Sequence, residues 1–168
     1  MVFKGYEEGR LVLPIVLGTV TSLKIQNRLI LDKPVADVWK ALCSPELVAK
    51  CVPGFEIDGK VDDNHYRARG RVSVGFISAR FDELQVTKRV LEDGSIVEYE
   101  ISGEDSRKLG SLLMKMVVAL RVEEGAKTSV QVDSDLEITG KFAALGTRIV
   151  EPKYKKIVEE TVENFHNL

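Results

Sequence analysis

The sequence predicts an α+β fold: a curved antiparallel sheet of about seven strands around one long C-terminal helix, with two short helices after the first strand. Apolar residues recur at a period of two along most of the chain, and a helical period replaces it after Gly140. A sheet of this length must close or curl around an element that covers its inner face, and the last helix is the available cover. This arrangement predicts an apolar cavity between the sheet and the helix.

The first strand and the two short helices are predicted between residues 23 and 54. The segment Leu23–Leu31 alternates apolar residues with Lys, Gln and Arg, which is typical of a strand with one wet face. Asp32-Lys33-Pro34 and then Ser44-Pro45 each combine a capping side chain with a proline suited to the first helical turn. Pro53-Gly54 ends the second helix.

Six further strands are predicted from Phe55 onward as an antiparallel meander. Each predicted turn carries a glycine or side chains that accept local hydrogen bonds. These turns are Asp58-Gly59, Asp62-Asp63-Asn64, Glu92-Asp93-Gly94, Gly103-Glu104-Asp105 and Glu123-Glu124-Gly125.

The last two strands show the clearest alternation, because each has one apolar side. The apolar positions are Leu112, Met114, Met116, Val118 and Leu120 in one strand, and Val130, Val132, Leu136 and Ile138 in the other. Asp133, Asp135 and Glu137 form an acidic row on the opposite face. We interpret this row as the solvated surface of a sheet that is covered on one side only.

Residues 141–167 are predicted to form one helix of roughly 27 residues, about 40 Å long. Its apolar stripe contains Phe142, Leu145, Ile149, Ile157, Val158, Val162 and Phe165. Pro152 interrupts the pattern, so we expect either a kink there or a helix that begins later. We expect the first half, Phe142 to Ile149, to face the interior, and the stripe beyond Pro152 to serve packing alone.

The composition bounds the class of protein. A chain of 168 residues, 44% of them hydrophobic, is long enough for one core and too short for two ordinary domains. We assign residues 23–168 to one domain and residues 1–22 to an N-terminal extension. Within that extension we expect Leu11–Leu17 to add an edge strand, or the extension to be partly disordered.

Charge and cysteine content indicate a cytoplasmic protein that does not bind nucleic acid. The formal net charge of -2 provides no field that would attract a phosphate backbone. Two cysteines cannot build the disulfide framework of a small secreted domain, which favours a reducing compartment. Leu11–Leu17 is too short to span a bilayer and lacks a secretory cleavage pattern, so at most peripheral membrane contact is expected.

No catalytic or metal-binding residues are predicted. His65 and His166 are the only histidines, too few for a histidine-rich metal site or a His-based catalytic triad. Gly70 and Gly75 are not followed by the Lys-Ser or Lys-Thr of a phosphate-binding loop.

The apolar residues expected to face the interior form a candidate ligand site. Methionine thioethers adapt to a bulky ring or an isoprenoid chain, and inward aromatic side chains either fill a core or line a pocket. Gly146 leaves room for a ligand or for close packing of the helix on the sheet, and the loop Cys51–Gly54 is placed at the cavity mouth. Core packing is the alternative for all of them. The predicted ligand-binding residues are Val48, Cys51, Val52, Pro53, Phe76, Phe81, Met114, Met116, Val118, Phe142, Leu145, Gly146 and Ile149.

Two separated segments carry a resemblance to a known family. The first runs from Val38-Trp39 through Ser44-Pro45-Glu46-Leu47 to Cys51-Val52-Pro53-Gly54, and the second is Gly140-Lys141-Phe142-Ala143-Ala144-Leu145-Gly146-Thr147-Arg148. Together they resemble the carbon monoxide dehydrogenase G-subunit family, within the superfamily of START-like lipid-transfer domains and polyketide cyclases. The resemblance covers roughly residues 23–166.

The resemblance implies a helix-grip, START-like fold and a non-enzymatic accessory protein. Such a protein would bind an isoprenoid quinone or lipid in its cavity, without a tightly bound cofactor. It would link a molybdenum-containing dehydrogenase to the membrane from the cytoplasmic side. Members often continue into a membrane-binding tail, whereas this sequence stops at Leu168, so we expect the domain or a partner to provide membrane contact.

Two alternatives remain open from the sequence. An enzyme of the polyketide cyclase or hydrolase type would need polar side chains that converge inside the same cavity. A structural adaptor would have a solid interior, whereas a ligand site should reach about 300 Å³ or more.

Overall fold

The computed structural model describes residues 5–7, 10–12 and 20–168. Two strands of the N-terminal extension, β1 (Gly5–Glu7) and β2 (Arg10–Val12), pair antiparallel as a separate two-stranded sheet. Most of the edge strand expected over Leu11–Leu17 lies outside the described residues.

The main sheet has seven antiparallel strands, which confirms the predicted fold class. They are β3 (Val20–Leu31), β4 (Phe55–Lys60), β5 (His65–Val74), β6 (Ile77–Glu92), β7 (Ile96–Glu104), β8 (Ser111–Glu123) and β9 (Lys127–Thr139). Their order across the sheet is β3, β9, β8, β7, β6, β5, β4. Strands β3 and β4 therefore lie at opposite edges, and the helices α1 (Val35–Leu42) and α2 (Pro45–Cys51) connect them.

The two short helices begin in different ways. Ser44 caps α2, because its hydroxyl accepts a hydrogen bond from the Leu47 amide at 3.4 Å, and Pro45 occupies the first turn. The prediction that Asp32 caps α1 is wrong. No side chain caps that helix, and the Asp32 carboxylate instead pairs with Lys127 Nζ at 3.2 Å.

The predicted single helix over residues 141–167 is wrong, because the chain breaks at Gly146. A short helix, α3 (Gly140–Ala143), precedes the main one, α4 (Thr147–His166), which is about 30 Å long. Gly146 has φ +76°, a conformation that favours glycine, so the backbone turns there before α4 begins. Of the two expected alternatives, a kink at Pro152 or a helix that begins later, the structure has the later start. Pro152 lies inside α4.

One predicted turn is not a turn. Asp58-Gly59 lies within β4, where the pairing with β5 shifts register between Ile57 and Gly59 as a β-bulge. The sequence interpretation also missed the hairpin between β5 and β6, which turns at Gly75 with φ +61° and at Phe76. The other four predicted turns mark connections between strands.

The inner face of the sheet is apolar, as the alternation predicts. Leu120, Val130 and Leu136 are buried in the core, and the acidic row lies on the outer face, where Asp135 pairs with Lys24 at 3.8 Å. None of the helices described is long and apolar enough to cross a membrane. Within the same residues, no cluster of three His, Cys, Asp or Glu side chains is arranged to hold a metal ion.

Candidate functional site

A cavity of about 330 Å³ lies between the sheet and α4. Side chains from all seven strands and from α1, α2, α3 and α4 contribute to its wall. The volume falls within the range of about 300–1,000 Å³ that is typical of small-molecule sites. The interior is therefore not the solid core that a purely structural adaptor would have.

Inward-facing residues near the middle of the sheet are accessible from the cavity. Leu112, Met114, Met116 and Val132 point to the covered face, yet each is only partly buried. Their neighbours Val118 and Leu136 on the same face are buried. An inward side chain that keeps accessible surface borders internal space, so these four residues would contact a bound molecule.

The cavity reaches the surface beside the loop between α2 and β4. At this rim, Gly54 and Arg71 are exposed, and Pro53 and Lys153 are half-buried. The Gly54 carbonyl accepts a hydrogen bond from the Arg71 amide at 2.8 Å. On the other side, Asn164 Nδ2 on α4 donates to the Cys51 carbonyl at 2.9 Å, so the loop is tied both to the sheet and to α4.

The structure places eight of the thirteen predicted residues on the cavity wall: Val48, Val52, Pro53, Phe81, Met114, Met116, Val118 and Phe142. The other five lie off the wall: Cys51, Phe76, Leu145, Gly146 and Ile149. That the eight bind a ligand stays a prediction.

Each misplaced residue has a physical reason. Phe76 is 94% exposed because it stands at the β5–β6 turn, beyond the covered part of the sheet. The break at Gly146 changes the helical phase, which leaves Ile149 43% exposed and Leu145 outside the cavity. Cys51 is buried within α2, and its thiol donates to the Leu47 carbonyl at 3.5 Å. Burial also raises the pKa of this thiol, which fits a small buried hydrophobe.

The expectation that α4 serves packing alone beyond Pro152 does not match the structure. The wall includes seven residues from that part of the helix: Lys153, Tyr154, Ile157, Val158, Thr161, Val162 and Phe165. Five of the seven are hydrophobic or aromatic, and with Val150 these five follow a helical period. The sequence therefore contained the signal, and the assumed start of the helix at residue 141 misdirected its interpretation.

Three polar side chains of the wall are already satisfied within the protein. The pairs are Tyr99 with the Leu42 carbonyl, Ser111 with the Thr139 hydroxyl, and Thr161 with the Ile157 carbonyl. Burial raises the pKa of Tyr99, which keeps its phenol protonated as a donor. By contrast, Asn27 Nδ2 and Ser134 Oγ are buried with no hydrogen-bond partner among the residues the structure describes.

Solved structures of low sequence identity share this architecture. A conserved protein from Geobacillus kaustophilus is 18% identical with a TM-score of 0.77, over 86% of this chain and 93% of that one. Norcoclaurine synthase from Thalictrum flavum is 13% identical with a TM-score of 0.58, over 89% and 87% of the two chains. The protein Ara h 8.0201 is also 13% identical with a TM-score of 0.58, over 87% and 96%. At such identities the likeness shows the fold alone, which is the helix-grip fold.

Sequence comparison gives the narrower assignment. No curated relative matches the chain. The family of the carbon monoxide dehydrogenase G-subunit (CoxG) matches residues 29–167, from β3 to the end of α4. This match spans both segments that carried the resemblance and every element that builds the cavity except the first part of β3. The chain therefore belongs to the CoxG family.

Proposed function

We propose that the protein is a non-enzymatic carrier that binds an isoprenoid quinone or another lipid in its cavity. In this role it links a molybdenum-containing, carbon monoxide dehydrogenase-like enzyme to the membrane. The observation that carries the proposal is the cavity of about 330 Å³, whose wall is apolar except for a few side chains. Membership of the CoxG family supports the link to the dehydrogenase.

The size of the cavity and its opening at the rim favour a ring with a protruding chain. Its volume is near the lower end of the usual range of about 300–1,000 Å³, which suits one ring system and a short apolar substituent. A long isoprenoid chain would leave through the rim beside Pro53 and Lys153. Such a ligand would remain partly exposed and ready for transfer.

Mass spectrometry of the native protein tests the proposal. Protein purified from the organism that naturally produces it should release a quinone or lipid on heating and solvent extraction, in near-stoichiometric amount. Titration of the stripped protein with 1,4-naphthoquinone should then show saturable binding. An extract without any such molecule, together with no binding on titration, would contradict the carrier function.

The end of the domain next to the rim fits contact with an anionic bilayer. Phe76 is 94% exposed, and Ile149 lies 3.9 Å from the position of a Cβ on Gly75. Arg148 precedes Ile149 in the chain, and Arg71 and Lys153 lie at the adjoining rim; none of the three forms an ion pair within the described residues. An exposed aromatic side chain flanked by cations is typical of a surface that inserts into the interface of an anionic membrane.

Phe76→Ser is expected to weaken binding to vesicles of phosphatidylcholine and phosphatidylglycerol by about tenfold, because it removes the largest apolar side chain from this surface. Co-sedimentation at low salt measures the effect. Val122→Ser is the matched control. Val122 is 71% exposed and lies near the end of β8, at the end of the sheet opposite to Phe76. Equal losses in the two variants would show that this end of the domain does not contact the membrane.

An enzyme of the cyclase or hydrolase type is the alternative for the same cavity. It requires groups that exchange protons with a substrate. The described wall contains no Asp, Glu or His, and the phenol of Tyr99 is engaged by the Leu42 carbonyl. Burial raises the pKa of Tyr154, which keeps that phenol protonated, and Lys153 lies at the rim, away from the buried end of the cavity. These features favour the carrier over the enzyme.

A further inference from the structure

We infer that Asn27, Ser134 and Tyr154 form a recognition site for one carbonyl oxygen of the ligand. This inference rests on the proposed carrier function and specifies which chemical group the cavity selects. The ligand is then a neutral, largely apolar molecule with a carbonyl group on its buried end, as a quinone has.

The three residues come from neighbouring elements on one side of the cavity. Asn27 on β3 pairs with Val132 on β9, and Ser134 pairs with Ile25, so the two polar side chains are diagonal neighbours on the inner face. Tyr154 on α4 lies beside Ser134 and lines the same cavity. Burial raises the pKa of Tyr154, and weak hydrogen bonding with the Ser134 hydroxyl opposes that shift, although the two groups do not reach the geometry of a full hydrogen bond.

The hydrogen-bonding state of these groups points to an absent partner. Asn27 Nδ2 and Ser134 Oγ are both buried without a partner among the described residues, whereas Tyr99, Ser111 and Thr161 on the same wall are satisfied within the protein. Buried polar groups are nearly always hydrogen-bonded, because leaving one unpaired is costly. Two unpaired groups together on a cavity wall are explained if the cavity contents supply the partner.

The chemistry of the site selects an acceptor without a full charge. The Asn27 Nδ2 group can only donate, and the hydroxyls of Ser134 and Tyr154 can donate as well. A carbonyl oxygen offers two lone pairs to such donors. A carboxylate would bury a charge among apolar residues, while the cationic side chains of the wall, Arg71 and Lys153, lie at the rim.

The position of the site also orients the ligand. Asn27 and Ser134 lie on β3 and β9, at one edge of the sheet, whereas Gly54 and Arg71 of the rim adjoin β4 and β5 at the other. A molecule held by its carbonyl oxygen at the first edge would extend across Met114 and Met116 toward the rim. Its head group is thus buried and its chain points outward.

A matched pair of probes tests the inference: 1,4-naphthoquinone and naphthalene, which differ in the carbonyl oxygens. The wild type should bind the quinone at least about tenfold more tightly, the size expected for hydrogen bonds made in an apolar site. The double variant Asn27→Leu/Ser134→Ala should lose this preference and keep its affinity for naphthalene. Tyr154→Phe should reduce the preference in part. Gln26→Leu, an amide lost from the outer face of the same strand, is the control and should change neither affinity.

The outcomes separate the inference from the carrier function. If the wild type binds both probes equally and the double variant does the same, the carbonyl site is wrong and the carrier stands. If neither probe binds the wild type, the carrier function itself fails.

Thermal unfolding without ligand gives a second readout. Asn27→Leu should raise the melting temperature because it removes an unpaired buried amide; a lower melting temperature would show that the amide has a partner in the protein and would overturn the assignment.

Discussion

Val132→Phe is expected to abolish binding of 1,4-naphthoquinone while the free energy of unfolding stays within about 1 kcal/mol of the wild type. Val132 faces the cavity and is only partly buried, between Asn27 on β3 and Val118 on β8. A phenyl ring at this position would extend into the internal space and occupy the volume that a ligand needs. Fluorescence titration measures the binding, and urea denaturation measures the stability.

The comparison with an outer-face substitution makes this result decisive. Val117→Phe places the same ring on the outer face of the neighbouring strand β8, away from the cavity. It should therefore leave ligand binding intact. In a solid core, the added ring at Val132 would instead cost about 1–3 kcal/mol of stability through overpacking. A loss of that size at position 132, with ligand binding retained, would contradict a cavity at this place.

The strand pattern was predictable because it is local. Successive side chains of a strand point to opposite faces, so the apolar positions of β8 and β9 identify the covered face without any knowledge of the fold. The same rule also places two polar residues on the inner face. Asn27 lies between the inward residues Ile25 and Leu29 of β3, and Ser134 lies between Val132 and Leu136 of β9. Polar residues at inward positions of an apolar alternation were therefore a readable signal for the candidate carbonyl site, and the sequence interpretation passed over them.

The helical part of the site was less predictable because it depends on one backbone angle. A left-handed φ at Gly146 separates α3 from α4 and changes which side of the helix faces the sheet. Similarly, Gly75 creates a turn that carries Phe76 out of the cavity and into solvent. Glycine permits such angles without requiring them, so the sequence alone leaves both conformations available. The volume left between the sheet and the helix depends on the backbone conformation at these glycines together.

The rim of the cavity depends on a different glycine. Gly54 has φ +71°, and a Cβ at this position would lie 2.4 Å from the Arg71 carbonyl oxygen. The close approach allows the Gly54 carbonyl to accept the Arg71 amide and holds the α2–β4 loop against β5. Entry and release of a ligand at this rim would require the loop to move away from β5. The same contact would therefore set both local stability and the rate of ligand exchange.

Gly54→Ala is expected to lower the free energy of unfolding by about 2–4 kcal/mol, because it combines backbone strain with a clash against the main chain of β5. Displacement of the loop should also speed ligand release, which stopped-flow exchange of bound 1,4-naphthoquinone would measure. Gly94→Ala is the matched control, since Gly94 has φ +82° but no atom within 4 Å of the added methyl group. The Gly94→Ala variant should have a free energy of unfolding only about 1–2 kcal/mol lower, from backbone strain alone, and an unchanged rate of ligand release. Equal effects of the two substitutions on both quantities would mean that the contact between Gly54 and Arg71 does not control the rim.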